Sequence, residues 1–271
     1  LPVVGEPHVV MGQALGSVSS LDGSRSFSGQ PIRFTTRNFF GFFEVPLSRG
    51  RIWSEQEEQQ GDPVVVLGSQ IAEELFPMVD PIGASVNIGG TGYRVIGVIA
   101  AWDPAPRFYD MSIGSFMRSD QAYLPLASVR TASSDLGVPR LCVGGASATP
   151  PAHLLDADCS WLTPWFLAQD AAAVPGLSQR VSAAASLALR DGGRKDFRVL
   201  DVRQILAAAD VVPGSVKAFT VLGLSFLILC IINAAGMQLS RLLRVWRKPG
   251  YAARSVPDAG ISSANIFARR C

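Results

Sequence analysis

Apolar and polar positions follow two rhythms along most of this chain, and one long run follows neither. Pro63 to Leu67 (PVVVL) is wholly apolar and rich in β-branched residues, which predicts a short buried strand. Gly68-Ser69 then opens a predicted helix, with Ser69 as the expected N-cap and Glu73 and Glu74 near its positive end. Ile71, Ala72, Leu75 and Phe76 supply its apolar face at helical spacing, and Pro77 and Pro81 stop it. Ser85 to Ile88 and Tyr93 to Ile99 read as two strands joined through Gly89-Gly90-Thr91-Gly92, a hairpin. Ala122 to Leu126 predicts another strand, placed at a sheet edge by Pro125. Between these, Ala101 to Ser119 holds Pro104, Pro106, Trp102, Phe108, Tyr109 and Phe116 and is expected to be a long loop. Downstream, Ser160 to Gln169 has strand composition, Gly176 to Arg190 is an alanine-rich helix, and Phe197 to Leu200 is a strand followed by a short helix, Val202 to Ala209. Strands and helices interleave without a strict βαβ rhythm, so the expected class is α+β.

The run that breaks both rhythms lies between Lys217 and Arg241, where no residue is charged. Residues 218–239 read AFTVLGLSFLILCIINAAGMQL. At about 1.5 Å rise per residue the uncharged stretch makes roughly 34 Å of helix, against about 30 Å of bilayer hydrocarbon. A transmembrane helix is therefore predicted over residues 216–240, in contact with membrane lipids. Gly223, Ala234, Ala235 and Gly236 are the small residues that let membrane helices approach closely. A helix buried in a large soluble core is the alternative, but such helices are usually shorter.

The flanks give the orientation. Arg241, Arg244, Arg247 and Lys248 crowd the C-terminal end, while the N-terminal end has the single Lys217. The positive-inside rule then predicts an outer domain over residues 1–215 and a cytoplasmic tail over residues 241–271, with Trp246 as an interfacial anchor. The start of the chain, Leu1-Pro2-Val3-Val4-Gly5, has no basic n-region and no apolar h-region. An outer domain needs something to export it, so a preceding membrane helix is expected upstream and the outer domain is expected to be N-terminally incomplete.

Composition agrees with a membrane-associated chain. Of 271 residues 48% are hydrophobic and 17% charged, against about 25% charged in ordinary globular chains. The net charge of +2 hides an asymmetry. Residues 1–240 hold 17 Lys+Arg against 21 Asp+Glu, whereas residues 241–271 hold seven against one. Basic charge confined to a tail beside a span argues against a nucleic-acid partner, whose binding face should carry the charge over the folded surface.

Candidate chemistry is sparse. His8 and His153 are far apart, with no HExxH or CxxC spacing around them, so no metal site is expected. Leu67-Gly68-Ser69-Gln70-Ile71 sits at a strand-to-helix turn but does not satisfy GxSxG. The Gly89-Gly90-Thr91-Gly92 turn opens no helix, and no GxxxxGK[ST] loop is present, so neither a phosphate cradle nor a nucleotide cofactor is read from the chain. No catalytic residue is assigned. Of the four cysteines, Cys230 lies in the span and Cys271 ends the chain, leaving Cys142 and Cys159 in the outer domain. An oxidising compartment would permit a bridge between them, closing a loop of about 17 residues with roughly 3 kcal/mol of stabilisation in the chain-entropy model. Two unpaired thiols are the alternative.

An ordered set of motifs resembles one family. Asn38-Phe39-Phe40, Glu44-Val45-Pro46-Leu47, Arg49-Gly50-Arg51-Ile52-Trp53, Pro63 to Leu67, Leu75-Phe76, Asp80-Pro81-Ile82-Gly83, Val86 to Gly90 and Tyr93 to Ile99 are similar, in order and spacing, to the periplasmic core domain of MacB-like, FtsX-like ABC transporter permeases. The charge-free span followed by Arg241-Leu242-Leu243-Arg244 resembles that family's second membrane helix. The resemblance implies four membrane helices per permease, an outer domain between the first two, a permease dimer partner, a separate or fused ABC ATPase, and a place in the bacterial inner membrane. It implies motion driven by nucleotide in the cytoplasm and used in the periplasm. One segment departs from the pattern. Where the family has a basic helical stretch that contacts the ATPase, Lys248 to Phe267 carries Pro249, Gly250, Pro257 and Gly260, with Asp258 as its one acidic residue. Three readings follow in order: a permease subunit that exports or mechanically handles a substrate, a membrane-anchored periplasmic binding or scaffold module without an ATPase partner, and last an enzyme.

Overall fold

The computed structural model describes residues 8–112, 114–132, 136–138, 141–142, 159–188, 199–209 and 214–246. The chain divides into two compact units, Leu1–Val211 and Val212–Cys271.

The first unit is built on an eight-stranded mixed sheet. Its strands are β1 (His8–Ser20), β2 (Ser26–Thr35), β3 (Leu47–Gly50), β4 (Val64–Leu67), β5 (Ser85–Ile88), β6 (Thr91–Ile99), β7 (Ala122–Pro125) and β10 (Leu162–Phe166). Short helices α1 (Phe39–Phe42), α2 (Glu55–Gln60) and α3 (Ser69–Leu75) punctuate it, and a 3₁₀ turn, Leu126–Arg130, follows β7. A separate two-stranded ladder pairs β8 (Leu141–Cys142) with β9 (Cys159–Ser160). Helices α4 (Val174–Ala188) and α5 (Val202–Ala208) close the unit.

Six strands form a closed ring of pairings. β1 pairs β2, β2 pairs β7, β7 pairs β4, β4 pairs β6, β6 pairs β5, and β5 returns to β1. The β2/β7 and β4/β6 contacts are parallel and the others antiparallel. Closure removes open edges among these six strands, while β10 and β3 attach outside the ring, to β1 and β6. The free edge of β1 is shared along its length, by β10 opposite His8–Gly12, by Gly137 opposite Leu15, and by β5 opposite Val18–Ser20.

Side-chain parity sorts the core into two clusters, because successive strand residues point to opposite faces. Val65 and Leu67 of β4 join Ile32 and Phe34 of β2, Ala122 and Leu124 of β7, Val86 and Ile88 of β5, and Ile71, Ala72 and Leu75 of α3. Val64 and Val66 face the other way, with Tyr123, Phe39, Phe40 and the fully buried Trp53. On β6 the parity flips midway: Tyr93 and Val95 belong to the first cluster, Ile96 to the second and Val98 again to the first. The cause is a bulge in which Val65 opposes Val95 but Val66 opposes Gly97, so one extra residue re-aims the strand.

The hairpin of β5 and β6 turns on Gly89-Gly90 alone, since Ile88 already pairs with Thr91. Both glycines have positive φ, 57° and 90°, as a two-residue hairpin turn requires. Three expectations need correction. The N-cap of α3 is Gly68, not Ser69, and Glu73 and Glu74 fall in the last turn of this seven-residue helix. Gly68 is there because the chain crosses β7 closely: a Cβ on it would lie 2.9 Å from the carbonyl oxygen of Asp120. Strand β7 is interior, flanked by β2 and β4. Pro125 is tolerated because it is the strand's last residue, beyond the final rungs to β4 at Ala122 and Tyr123. The strand expected at Phe197 to Leu200 lies partly outside the described residues, and Val199 and Leu200 are not in a strand.

The second unit contains α6, a 33-residue helix from Gly214 to Trp246. Its segment Gly214–Arg241 is long and apolar enough to cross a membrane. Hydroxyls in this segment return to the helix backbone: Thr220 Oγ1 donates to the Val216 carbonyl and Ser225 Oγ to the Val221 carbonyl, each at 2.8 Å. Polar groups satisfied within the helix are what an apolar environment demands.

Candidate functional site

Strand β2 carries a cation in the middle of an apolar run, Pro31-Ile32-Arg33-Phe34, and parity turns Arg33 away from the first core cluster. The side chain is fully buried. Its Nε donates to Asp120 Oδ2 at 2.9 Å, Nη1 pairs with Asp110, and Nη2 donates to Gln13 Oε1 of β1. A second buried arginine, Arg107, donates from Nη2 to Asp120 Oδ1 at 2.8 Å and to Gln13 Oε1 at 3.0 Å, and from Nη1 to the Arg118 carbonyl at 2.7 Å. Both guanidinium groups stack over the Tyr109 ring, with centroid distances of 5.3 and 5.2 Å. The Tyr109 hydroxyl donates to Asp120 Oδ2 at 3.3 Å.

Two arginines and two aspartates balance in charge, and the electrostatics follow. Burial alone would lower the Arg33 pKa, but Asp120 and Asp110 outweigh it and raise it. Burial alone would raise Asp110, but the Arg33 charge and hydrogen bond outweigh it and hold the carboxyl below its usual range. Burial and the Asp120 charge push the Tyr109 phenol far above its ordinary value. Arg33, Asp110 and Tyr109 are each held in the state they already have at neutral pH, so these groups are suited to clamping and not to moving protons. What it clamps is the proline-rich segment 101–119, which supplies Arg107, Tyr109, Asp110 and the Arg118 carbonyl, to β1 and β2. None of these residues stands out locally in sequence except Arg33, an isolated charge between Ile32 and Phe34.

The same segment is divided in exposure. Tyr109 is buried and Trp102 and Phe108 pack on the second cluster, whereas Phe116 is 69% exposed. Its large exposed hydrophobic side chains, among the described residues, are Phe116 and Met117, and its other aromatics are core.

An open cleft of about 630 Å³ is lined by Arg37, Arg51, Ile52, Trp53, Ser54, Gln56, Glu57 and Asp62. Two of its charged groups, Arg51 and Glu57, are engaged with each other. Glu57 accepts from both Arg51 terminal nitrogens, at 2.7 and 2.8 Å, and from the Ser54 backbone N–H at 2.7 Å, completing a capping box at the start of α2. The Arg51 hydrogen bonds are the main reason the Glu57 carboxyl is lowered to about 2. Arg37 Nε is committed to the Trp53 carbonyl at 2.9 Å. This cleft pairs no nucleophile with a base. Among the described residues no group of three or more His, Cys, Asp or Glu could hold a metal ion.

Of the residues expected to flank a membrane, Lys217 and Arg241 fall near the two ends of the apolar segment. Lys217 lies in the first turn of α6 and Arg241, exposed, ends the apolar segment. Arg244 lies within α6, while Arg247 and Lys248 are outside the described residues. Cys142 and Cys159 occupy opposing positions of the β8/β9 ladder. Cys230 is an exposed free thiol on α6. His8 starts β1 with its ring 6.0 Å from Phe166, and His153 lies outside the described residues.

The first unit is thus a ring-closed mixed sheet with an internal polar clamp, and the chain continues into a helix of membrane-spanning length. The comparisons make this specific: the family described as the MacB-like periplasmic core domain matches residues 6–184. The chain belongs to that family. It is 36% identical over 78 residues to a macrolide export ATP-binding/permease protein MacB of Syntrophobacter fumaroxidans, covering 29% of this chain and 11% of the relative. It is 30% identical over 89 residues to a pyoverdine export ATP-binding/permease protein PvdT of Pseudomonas syringae pv. tomato, covering 32% and 13%. The chain thus spans little more than a tenth of the length of these relatives. The periplasmic region of MacB from Actinobacillus actinomycetemcomitans aligns with 76% of this chain and 77% of its own, at 18% identity and a TM-score of 0.47.

Proposed function

We propose that this chain is part of the permease of a MacB/FtsX-type ABC transporter of the bacterial inner membrane. In this reading residues 1–215 form the periplasmic core domain, residues 216–240 cross the membrane and residues 241–271 are the basic cytoplasmic tail. One observation carries it: a MacB-like periplasmic core domain is followed in the same chain by a helix long and apolar enough to span a bilayer. The asymmetry between Lys217 and the group Arg241, Arg244, Arg247 and Lys248 supports the orientation.

The permease works as a transmitter. An ABC ATPase in the cytoplasm hydrolyses ATP, a dimer of permeases converts its closure into movement of the membrane helices, and the periplasmic domains act on an exported substrate or partner. A domain in that role must move as one body. The closed ring and the Arg33/Arg107 clamp, which ties segment 101–119 to β1 and β2, give it the stiffness to do so. In this reading ATP hydrolysis belongs to the ATPase.

A second reading, a periplasmic scaffold anchored by α6 without an ATPase, is favoured by one feature: Pro249, Gly250, Pro257 and Gly260 interrupt the segment that would form the ATPase-contacting helix. Affinity purification of the tagged chain from its native membrane separates the two. The transporter reading expects an ABC ATPase to co-purify and its hydrolysis in liposomes to rise with the permease present. A preparation with no ATPase bound and no stimulation leaves the scaffold.

A further inference from the structure

We propose that Cys142 and Cys159 form a disulfide that closes residues 142–159 into a covalent loop on the periplasmic domain, an inference that rests on the outer placement of that domain. Backbone register carries it. In the antiparallel β8/β9 ladder Leu141 opposes Ser160 and Cys142 opposes Cys159. Residues directly opposite each other share one face of a ladder, with Cα atoms about 5.5 Å apart at a hydrogen-bonded site and about 4.5 Å at a non-hydrogen-bonded one. A disulfide accepts Cα separations of about 4.4 to 6.8 Å, so either kind of site suits it. A register slip of one residue would put the two cysteines on opposite faces.

The topology brings these strands together independently of the cysteines. Ahead of β8, Gly137 and Leu15 exchange backbone hydrogen bonds of 2.7 and 2.8 Å. Beyond β9, Leu162 of β10 opposes Gly12. Both anchors lie on the same edge of β1, three residues apart, about 10 Å along the strand. The chain therefore leaves β1 and returns to it at neighbouring points. A ladder of two residue pairs is weak by itself, and a bond across it would fix what the backbone only begins.

The redox step balances with one co-reactant, a disulfide-carrying thiol oxidant of the periplasm. The thiolate of one cysteine attacks the oxidant's disulfide to give a mixed disulfide and one free oxidant thiol. The second cysteine's thiolate then displaces the other oxidant sulfur. Two protein thiols are oxidised, the oxidant's disulfide is reduced to a dithiol, and the two thiol protons end on it. Cys230 and Cys271 do not compete, since in the proposed topology one lies within the span and the other on the cytoplasmic side.

The test is peptide mapping of the full chain, extracted from membranes with an alkylating agent present throughout and digested without reductant. Trypsin cuts after Arg140 and Arg180 and leaves both cysteines on one peptide, so a protease that cuts at Asp156 and Asp158 is added. The expected result is a Cys142 peptide joined to a Cys159 peptide, separated by reduction, with Cys230 and Cys271 alkylated. Alkyl groups on both Cys142 and Cys159, or a linkage of either to any other partner, overturns the proposal. A parallel Gln59→Cys sample, treated on intact spheroplasts with a membrane-impermeant maleimide, reports the domain's side. Free thiols with Gln59→Cys labelled sink the disulfide alone, and free thiols with it unlabelled sink the outer placement as well.

Discussion

Asp120 shows how much can hang on one side chain. It accepts from Arg33, Arg107 and Tyr109 while fully buried in side-chain terms, so removing it leaves two guanidinium groups facing one carboxylate away from water. Asp120→Ala should destabilise the domain by about 3 to 5 kcal/mol, the range for breaking a buried charge pair, read as a lower urea midpoint. The Arg51–Glu57 pair is the smaller counterpart, half exposed on its arginine side. Glu57→Gln should cost about 1 kcal/mol at neutral pH, because Arg51 is about half exposed and the capping box retains a hydrogen-bonding amide. The sign with pH follows from the depressed carboxyl. The Glu57 contribution is complete above the unfolded value near 4.3 and is lost as pH falls toward about 2. Asp110, held low by Arg33 against its own burial, adds in the same direction. Glu58, which burial raises, opposes them, since folding favours its protonated form and its ionised form is a cost at neutral pH. Urea midpoints at pH 7, 4 and 3 should fall most steeply below pH 4, and the fall should shrink in Glu57→Gln. A midpoint independent of pH across that range would contradict the two ion pairs.

At the scale of elements, β6 and α6 make opposite demands on their residues. The β6 bulge needs Gly97, where a Cβ would lie 2.4 Å from the Arg51 carbonyl oxygen. Backbone cannot retreat as a flexible side chain can, so Gly97→Ala should cost about 1 to 3 kcal/mol and lower the thermal midpoint. In α6 the demand is apolarity. Ile228→Arg places a charge midway along the apolar segment, which costs about 3 to 4 kcal/mol of insertion free energy, and the variant should shift from the pellet to the supernatant in alkaline carbonate extraction. Elements with one unmixed pattern were legible in the sequence. Pro63 to Leu67 reads as a strand because both its faces are buried, and residues 218–239 read as a span because nothing charged interrupts them. The longest strand, β1, has no such pattern. Gly12, Gly16, Gln13 and a register irregularity between Gly16 and Val18 blur its alternation. The polar clamp is equally hidden, since Arg33 and Asp120 are 87 residues apart and meet only after the ring closes. The position of β7 escaped for a related reason. A proline lowers the prospect of an interior strand, and only the register shows that Pro125 stands past the last rung to β4.

For the whole molecule, the net charge of +2 is the sum of an acidic part and a basic tail separated by one apolar helix, so it describes topology more than binding. A ring-closed domain followed in the chain by a helix long and apolar enough to span a membrane is what the proposed relay of motion calls for. Everything in that account depends on which side of the membrane each end of α6 faces. The direct measurement is labelling of intact spheroplasts with a membrane-impermeant maleimide, using Gln59→Cys to report the domain and the native Cys271 to report the tail. The account predicts that Gln59→Cys is labelled without permeabilisation and Cys271 only after it. Labelling of Cys271 in intact spheroplasts, or protection of Gln59→Cys until the membrane is opened, would contradict it.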